Sequence, residues 1–483
     1  MKKVFSYLKK TLKVTMWLII SLVLLFIITA VLIQIPAVQT KIVRAATSFV
    51  SDKTHTRVEI KNVSIAFPKS VVLEGLYLGD TRKDTLIYVD KIKLNIVLYD
   101  LIANKITINS LALTKAYVHL YNTKTDSLFN YNFLLTAFAD SVQQKPEDTK
   151  EPAAWTFSVD KVSLKQIRLR YNDEFGGMKA AAQLGNADLK MNTLDLQNSV
   201  YKLDNLLIEQ LKADVQTTKA SNQQEETSSG ILPKISASNI RINNSSITYS
   251  DAVSQQKILA AIHRFDLKNG TVDLENKIVE LDKIYISKSD VRYFTADTTT
   301  PVDTTVQVPQ MVENAWKVTV KQIEFNDNAI TYKVGNKPAL KNAFDPDFIQ
   351  FQRLNLLAED LFYSSNLTKA TIEQLSAVDQ NNFAITKFET AFSMDRNSIT
   401  ASNVKAGTSN SSLEGNFNLQ YQSLQSLATS LALLQLNINL KKASFKNADL
   451  LYFSPQLKEM EFFNNKTNTT FISGQINGRV NHL

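Results

Sequence analysis

The sequence predicts a transmembrane helix at the N-terminus followed by a long, repetitive, mostly β body. Three observations carry this: an uncharged run of eighteen residues, a gapless internal repeat with an offset of 78 residues, and apolar spacing of two within each copy. At 483 residues the chain exceeds what one hydrophobic core organises, and an array of repeats answers that better than several unlike domains. Glycine (12) and proline (10) are sparse, so Asn, Asp and Ser must make most turns.

The first element is the anchor. Met16 to Ile33 is free of charge and long enough to cross a bilayer core as a helix, with Met16, Trp17, Leu18, Ile19, Leu24, Phe26 and Ile33 among its apolar residues. A cleaved signal peptide has a shorter apolar region ending in small residues, whereas Gln34-Ile35-Pro36 follows here. Five lysines precede the segment and only Lys41 and Arg44 follow closely, which places residues 1–13 in the cytoplasm as a tail and the body outside. Residues 14–35 are then the anchor. Over 36–52, Val38, Ile42, Ala46 and Phe49 recur at helical spacing behind Pro36, as in a short amphipathic helix at the membrane surface or an ordinary packed helix.

The charge belongs to this flank. Residues 1–57 hold nine of the basic residues and one acid, leaving 45 basic and 45 acidic residues in the other 426. A balanced body has no polybasic face to displace phosphate counterions, so nucleic acid is excluded as a partner. Cysteine is absent, which excludes disulfides and thiolate metal sites.

The repeat organises the rest. Residue 155 laid on residue 233 aligns DLKMNTLDLQNSVYKLDNLLI (188–208) with DLKNGTVDLENKIVELDKIYI (266–286), identical at ten of 21 positions. Its first half recurs from origins at 104, 155, 233, 316 and 436, with apolar residues or Tyr at offsets 2, 4, 7, 9, 14 and 16. The central copies read Phe157, Val159, Val162, Leu164, Leu169, Tyr171; Ile235, Ala237, Ile240, Ile242, Ile247, Tyr249; and Val318, Val320, Ile323, Phe325, Ile330, Tyr332. The outer two read Ile106, Ile108, Leu111, Leu113, Val118, Leu120 and Ile438, Leu440, Ala443, Phe445, Leu450, Tyr452. Spacing of two is strand periodicity, and the parity change between offsets 4 and 7 asks for a bulge or corner. Offsets 10 to 13, Asn243-Asn244-Ser245-Ser246 and Asn326-Asp327-Asn328-Ala329 in two copies, read as hairpin turns. Polar tracts at 141–152, 217–230 and 296–310 fall about once per repeat and read as crossover loops of an array. The divisions are a first β region at 53–140, β repeats at 141–230 and 231–312, and further β repeats over 313–483.

No P-loop, GxGxxG, GxSxG or HExxH motif is present, and His55, His119, His263 and His482 are scattered. His119 lies between Val118 and Leu120 on the opposite strand face and reads as solvated. The paired acids Asp188/Asp266, Asp195/Asp273 and Asp204/Asp282 recur with the repeat, so they read as turn or outward-facing residues: catalysis needs one site, architecture needs copies. The expectation is a protein that is not an enzyme and needs no cofactor or metal.

The chain resembles the AsmA-like family, and within it the TamB type of Bacteroidetes-like bacteria. The resemblance rests on the anchor, VEIKNVSIAFPKSVVLEGLYLGD (58–80), YVDKIKLNIVLYDLIANKITINSLAL (88–113), FNYNFLLTAF (129–138) and the repeated strands, in that order. It implies a single-pass inner-membrane protein whose periplasmic, antiparallel β-sheet folds lengthwise into a groove, solenoid-like, that carries phospholipid acyl chains toward the outer membrane. It also implies support of outer-membrane protein assembly and secretion, with an outer-membrane barrel of the Omp85 class as partner. The central-copy residues named above, apart from Phe157, Ile235, Ala237 and Val318, are the expected lining of that groove. TamB-type proteins are longer and end in a characteristic C-terminal domain, while this chain stops in strand-like alternation at FISGQINGRVNHL, which reads as a fragment or a short relative. An anchored structural or adhesive β-solenoid filling its own core is the alternative, because it too needs an apolar inner face.

Overall fold

The computed structural model describes residues 17, 21, 24, 28, 32, 35–66, 70–97, 99–100, 104–139, 156–195, 198–219, 232–297, 316–423 and 426–482. They form two units, Met1–Phe175 and Gly176–Leu483, and the fold is mostly β.

Between Met16 and Ile33 only Trp17, Ser21, Leu24, Ile28 and Leu32 are described, all helical and exposed; Met16, Leu18, Ile19, Phe26 and Ile33 lie outside the described residues. Among the described residues no helix is long and apolar enough to cross a membrane.

The first unit opens with helix α1 (Pro36–Thr54), started by a proline at its first turn and ended by His55 in the left-handed conformation. Strands β1 (Val58–Glu59), β2 (Asn62–Ala66), β3 (Ser70–Gly79), β4 (Thr85–Ile96) and β5 (Lys105–Tyr121) follow, then helix α2 (Asn132–Ala139) and β6 (Thr156–Asp173). β1 and β2 both pair with β3, and β3–β4–β5 continue antiparallel. Alternate apolar residues of β3, β4 and β5 meet around Val89, Ile92 and Ala116, with Leu73, Leu76, Leu111 and Leu113 packed against them. The β3–β4 turn is held by Asp80, which accepts the backbone N–H groups of Arg82 and Asp84 and the Tyr121 hydroxyl at 2.8 Å. His119 is half-buried, not solvated: its Nδ1 lies 3.4 Å from an Asp84 carboxylate oxygen.

The second unit holds β7 (Met178–Asp195), β8 (Val200–Thr217), β9 (Lys234–Asp251), β10 (Gln256–Asp273), β11 (Ile278–Ser287), β12 (Asp290–Thr295) and β13 (Lys317–Val334). A run of shorter strands completes it: β14 (Phe348–Tyr363), β15 (Leu367–Asp379), β16 (Ala384–Asp395), β17 (Ser398–Thr408), β18 (Ser412–Gln420), β19 (Gln435–Lys446) and β20 (Thr469–Arg479). The sequence repeat is a structural one: β6, β7 and β8 begin 78 residues before β9, β10 and β11. β11 and β12 together occupy the place of β8, because both pair with β10 and with β13.

The pairing is mixed, which corrects the expected antiparallel sheet. β5–β6, β8–β9 and β11/β12–β13 are parallel, and the other pairings within each unit are antiparallel. Each 78-residue period carries three long strand paths. An odd number of strands ends pointing the way it began, so the next copy starts parallel to the last strand. Parallel neighbours cannot share a tight turn and need a dozen or more connecting residues. The intervals 122–155, 218–233 and 296–316, which contain the three polar tracts, provide them.

The Asn- and Ser-rich windows at offsets 10 to 13 are not hairpin turns but lie inside β9 and β13. At offset 11 the four copies carry Lys115, Gln166, Asn244 and Asp327, each with φ between 46° and 55°. One left-handed residue bends a strand and reverses its side-chain parity without reversing the chain. The reversals from β7 to β8 and from β10 to β11 are tied by aspartates instead: Asp195 and Asp273 accept the backbone N–H groups of Asn198 and Asn276, three residues on, at 3.0 Å. That hydrogen bond is the main cause holding the Asp273 carboxyl below the ordinary aspartate range.

Bending leaves ladder groups to be satisfied, and side chains do so. Ser245 Oγ accepts from Leu211 N and donates to Asn243 O; Ser289 Oγ accepts from His263 N and donates to Ser287 O. Asn328 accepts from Ser289 N and donates to Ile286 O, both at 2.9 Å. Asn355 and Asn416 accept from the left-handed Asp327 and Asn403. The fifth copy departs at the same place: its offset 11, Asn447, begins helix α3 (Asn447–Phe453), so Leu450 and Tyr452 are helical. Tyr452 donates to Asp379 and stacks on Phe383, and burial first, then Asp379, pushes its hydroxyl up to about 12.

Asn328 is buried and joins two backbone groups of neighbouring strands. Asn328→Ala should lower the unfolding free energy by about 2–3 kcal/mol, from stranding both groups. Urea or thermal unfolding of the full chain checks it; a loss under about 0.5 kcal/mol, within the range of ordinary surface substitutions, would show the bend is held by something else.

Candidate functional site

Strand register brings the predicted apolar positions into rows. Across the second unit Leu189, Leu206, Ile240, Leu267, Ile284, Ile323, Ala358 and Ile372 are successive partners on eight strands, β7 to β11 and β13 to β15. Two residues along each strand, and three on β15 across a register shift, runs a second row: Ala187, Ile208, Ile242, Phe265, Ile286, Phe325, Leu356 and Leu375. Direct partners share a sheet face, so each row is a continuous apolar band about 34 Å across at the usual strand spacing. Beyond the bend the pattern resumes in Ala213–Ile247–Ala260–Val291–Ile330–Phe351 and Val215–Tyr249–Ile258–Tyr293–Tyr332–Ile349. Val320 lies in a further row, Leu203–Ala237–Gly270–Leu281–Val320–Leu361.

Expected residues of the second unit are thus joined through strands between them. Ile240 reaches Ile323 through Leu267 and Ile284, and Ile242 reaches Phe325 through Phe265 and Ile286. Tyr332 stacks on Tyr293 with ring centroids 5.9 Å apart. In the first unit Val159, Val162, Leu164, Leu169 and Tyr171 of β6 pair with Ile108, Leu111, Leu113, Val118 and Leu120 of β5. The rows continue through Leu94, Ile92 and Ile87 to Val71, Leu73 and Leu78. Tyr171 also stacks on Phe129, and burial first raises its hydroxyl pKa, with Asp173 adding to it.

Burial distinguishes this surface from a sealed core. In the two eight-strand rows every residue larger than alanine stays half-buried, including Ile242, Phe265, Ile323 and Phe325 in the middle of the sheet. A second layer packed over the face would bury such residues fully. Val320 is the buried exception among the expected residues, and Tyr332 is exposed.

The opposite parity is different chemistry. The row between the two apolar bands reads Asp188, Leu207, Arg241, Asp266, Tyr285, Glu324, Leu357 and Gln374. Asp266 accepts from Arg241 Nε and Arg264 Nε, Lys283 bonds Glu324 at 2.6 Å, and Arg264 lies over the Tyr285 ring. Of the repeated acids, Asp204 pairs with Lys190 and Asp282 with Lys321. Among the described residues no three His, Asp or Glu side chains cluster in a way that could hold a metal ion.

The residues of β8, β10, β11, β14 and β15 in these rows were not picked out from the spacing pattern, which marks one strand per copy. A signal existed: Leu206/Ile284 and Ile208/Ile286 are aligned pairs of the 78-residue repeat.

Burial acts to raise the Asp266 pKa, but the bonds from Arg241 and Arg264 outweigh it and hold the group below the ordinary aspartate range. A depressed folded-state pKa contributes stability that is complete above the unfolded value near 4 and is lost as pH falls through the folded value. Asp266→Asn should therefore lower the melting temperature at neutral pH, and the gap to the unaltered protein should close as pH drops below about 4. A gap independent of pH would mean that packing, not charge, sets the effect.

Among known families, the AsmA family profile matches residues 8–221. No curated protein matches the chain.

Proposed function

Since the chain is AsmA-like over residues 8–221, we propose that it is an inner-membrane-anchored, periplasmic protein of the TamB type whose apolar rows carry phospholipid acyl chains toward the outer membrane. The observation that supports this most is the half-buried state of two parallel apolar bands across eight strands. Extended apolar surface in water is a liability unless something apolar occupies it, and an acyl chain fits a band without polar specificity. A focused enzyme pocket would need convergent polar or titratable groups on that face. The charged groups here sit at the other parity, where Asp266 bonds Arg241 and Arg264 and Glu324 bonds Lys283. The protein works without catalysis or cofactor, and an outer-membrane barrel of the Omp85 class is its partner at the far end.

Attachment is by Met16 to Ile33, with the N-terminus in the cytoplasm. As native cysteine is absent, one placed by Ser221→Cys gives a clean test. It should react with a membrane-impermeant thiol reagent once the outer membrane is permeabilised. Labelling that requires lysis of the inner membrane overturns the orientation.

A photocrosslinking phenylalanine analogue at Phe265 or Phe325 should capture phospholipid in cells, while the same analogue at Tyr285 should not. All three replace aromatic residues, so folding is little disturbed, and Tyr285 is offset by one residue from the Phe265 row. Equal capture at the three positions, or none at any, leaves an anchored structural β-solenoid as the better account.

A further inference from the structure

Helix α1 carries an apolar stripe that no part of its own unit covers among the described residues. At about 100° per residue, positions seven apart fall on nearly one line. Ile35, Ile42 and Phe49 are spaced in this way and are 42%, 43% and 57% exposed, with exposed Ala46 beside them. The helix has a separate packed side: Gln39 and Thr54 are buried, Val43, Thr47 and Val50 half-buried, and Gln39 Nε2 donates to Ile65 O of β2. Ser51 and Thr54 tie the end of α1 to Thr56, which leads into β1. The stripe therefore cannot roll inward without giving up those bonds. α2 packs beside α1 and adds Leu135, 62% exposed.

The charges on the helix are mostly basic. Over residues 36–54 the ionisable groups are Lys41, Arg44 and Lys53 against Asp52, and Lys41 and Arg44 are exposed. The stripe also continues in sequence from the uncharged Met16–Ile33 segment. Apolar residues on one line, a basic shoulder beside them and an apolar segment just before are the properties of a helix lying in a membrane interface.

The geometry points to α1 as an interfacial helix: Ile35, Ile42 and Phe49 sit among acyl chains at the membrane surface, and exposed Lys41, about 100° from Ile42, with exposed Lys53, about 20° from it at the far end of the helix, bind anionic headgroups, so the first strands are held at the bilayer. This rests on the membrane attachment proposed above but not on lipid conduction. It also adds a second apolar contact to the anchor.

The test uses the full chain reconstituted in vesicles, with single substitutions Ile42→Cys, Phe49→Cys or Ser48→Cys carrying an environment-sensitive fluorophore. Ser48 is exposed on the same helix, about 100° from Phe49. With lipids brominated near the carbonyl end of the chain, probes at 42 and 49 should be quenched and blue-shifted, while the probe at 48 stays at its aqueous emission. The effect should be larger in phosphatidylcholine mixed with phosphatidylglycerol than in phosphatidylcholine alone. Lys41→Glu with Lys53→Glu should remove that preference. If the chain attaches to vesicles yet the three positions quench alike, or the preference survives the double substitution, the interfacial helix is overturned. Failure to attach to any vesicle overturns the attachment itself.

Discussion

The left-handed residues set within or between long strands are the constraint on which the fold depends. Lys115, Gln166, Gln210, Asn244, Lys288 and Asp327 are all left-handed, and lysine and glutamine gain nothing there locally. Such a conformation costs about 1–2 kcal/mol in an ordinary residue. It is tolerated because the left-handed residues of paired strands lie abreast: Lys115 falls beside Gln166, Gln210 beside Asn244, and Lys288 beside Asp327. A lone bend would break the ladder on both sides. Aligned bends share the break, and buried Ser245, Ser289 and Asn328 reconnect it.

The bend also explains why the apolar pattern is odd. Offsets 9 and 14, Ile242 and Ile247 in one copy, are five residues apart, so an unbroken strand would send them to opposite faces. A parity reversal at offset 11 lets the apolar residues before and after it serve one surface. The Asn-Asn-Ser-Ser and Asn-Asp-Asn-Ala windows are thus selected for the same backbone freedom that suits a hairpin. Composition alone does not distinguish a bend from a reversal; that depends on whether one residue or two are left-handed, and on what lies beyond.

Much of the architecture could be read from the chain. The 78-residue offset, the strand start one residue after the origin in four copies, and the polar tracts between copies all reappear as elements and connections. Pairing direction was hidden because it depends on the parity of strands per copy, and the spacing pattern marks only one of the three. The face of α1 was hidden for a different reason. Val38, Ile42, Ala46 and Phe49 form the more apolar line, but packing chose Gln39, Val43, Thr47, Val50 and Thr54, where side-chain hydrogen bonds to β2 and the β1 approach were available. Hydrophobicity ranks the faces of a helix; it does not say which of them the neighbouring strands can reach.

The same distinction governs the candidate site. Ile240 and Ile323 are legible as strand residues, yet they become one surface only through Leu267 and Ile284, whose place follows from register. A surface assembled in this way has no privileged residue, because each strand contributes a near copy of the last. Chemistry at a point demands unequal residues: a base, a partner that orients it, a group that takes charge. Repetition spreads one property evenly instead. On one parity that property is apolar and half-buried, and on the other, charges of opposite sign face one another across strands, as Asp266 faces Arg241 and Arg264. What such a surface does well is treat every position along it alike, which is the requirement for something that slides.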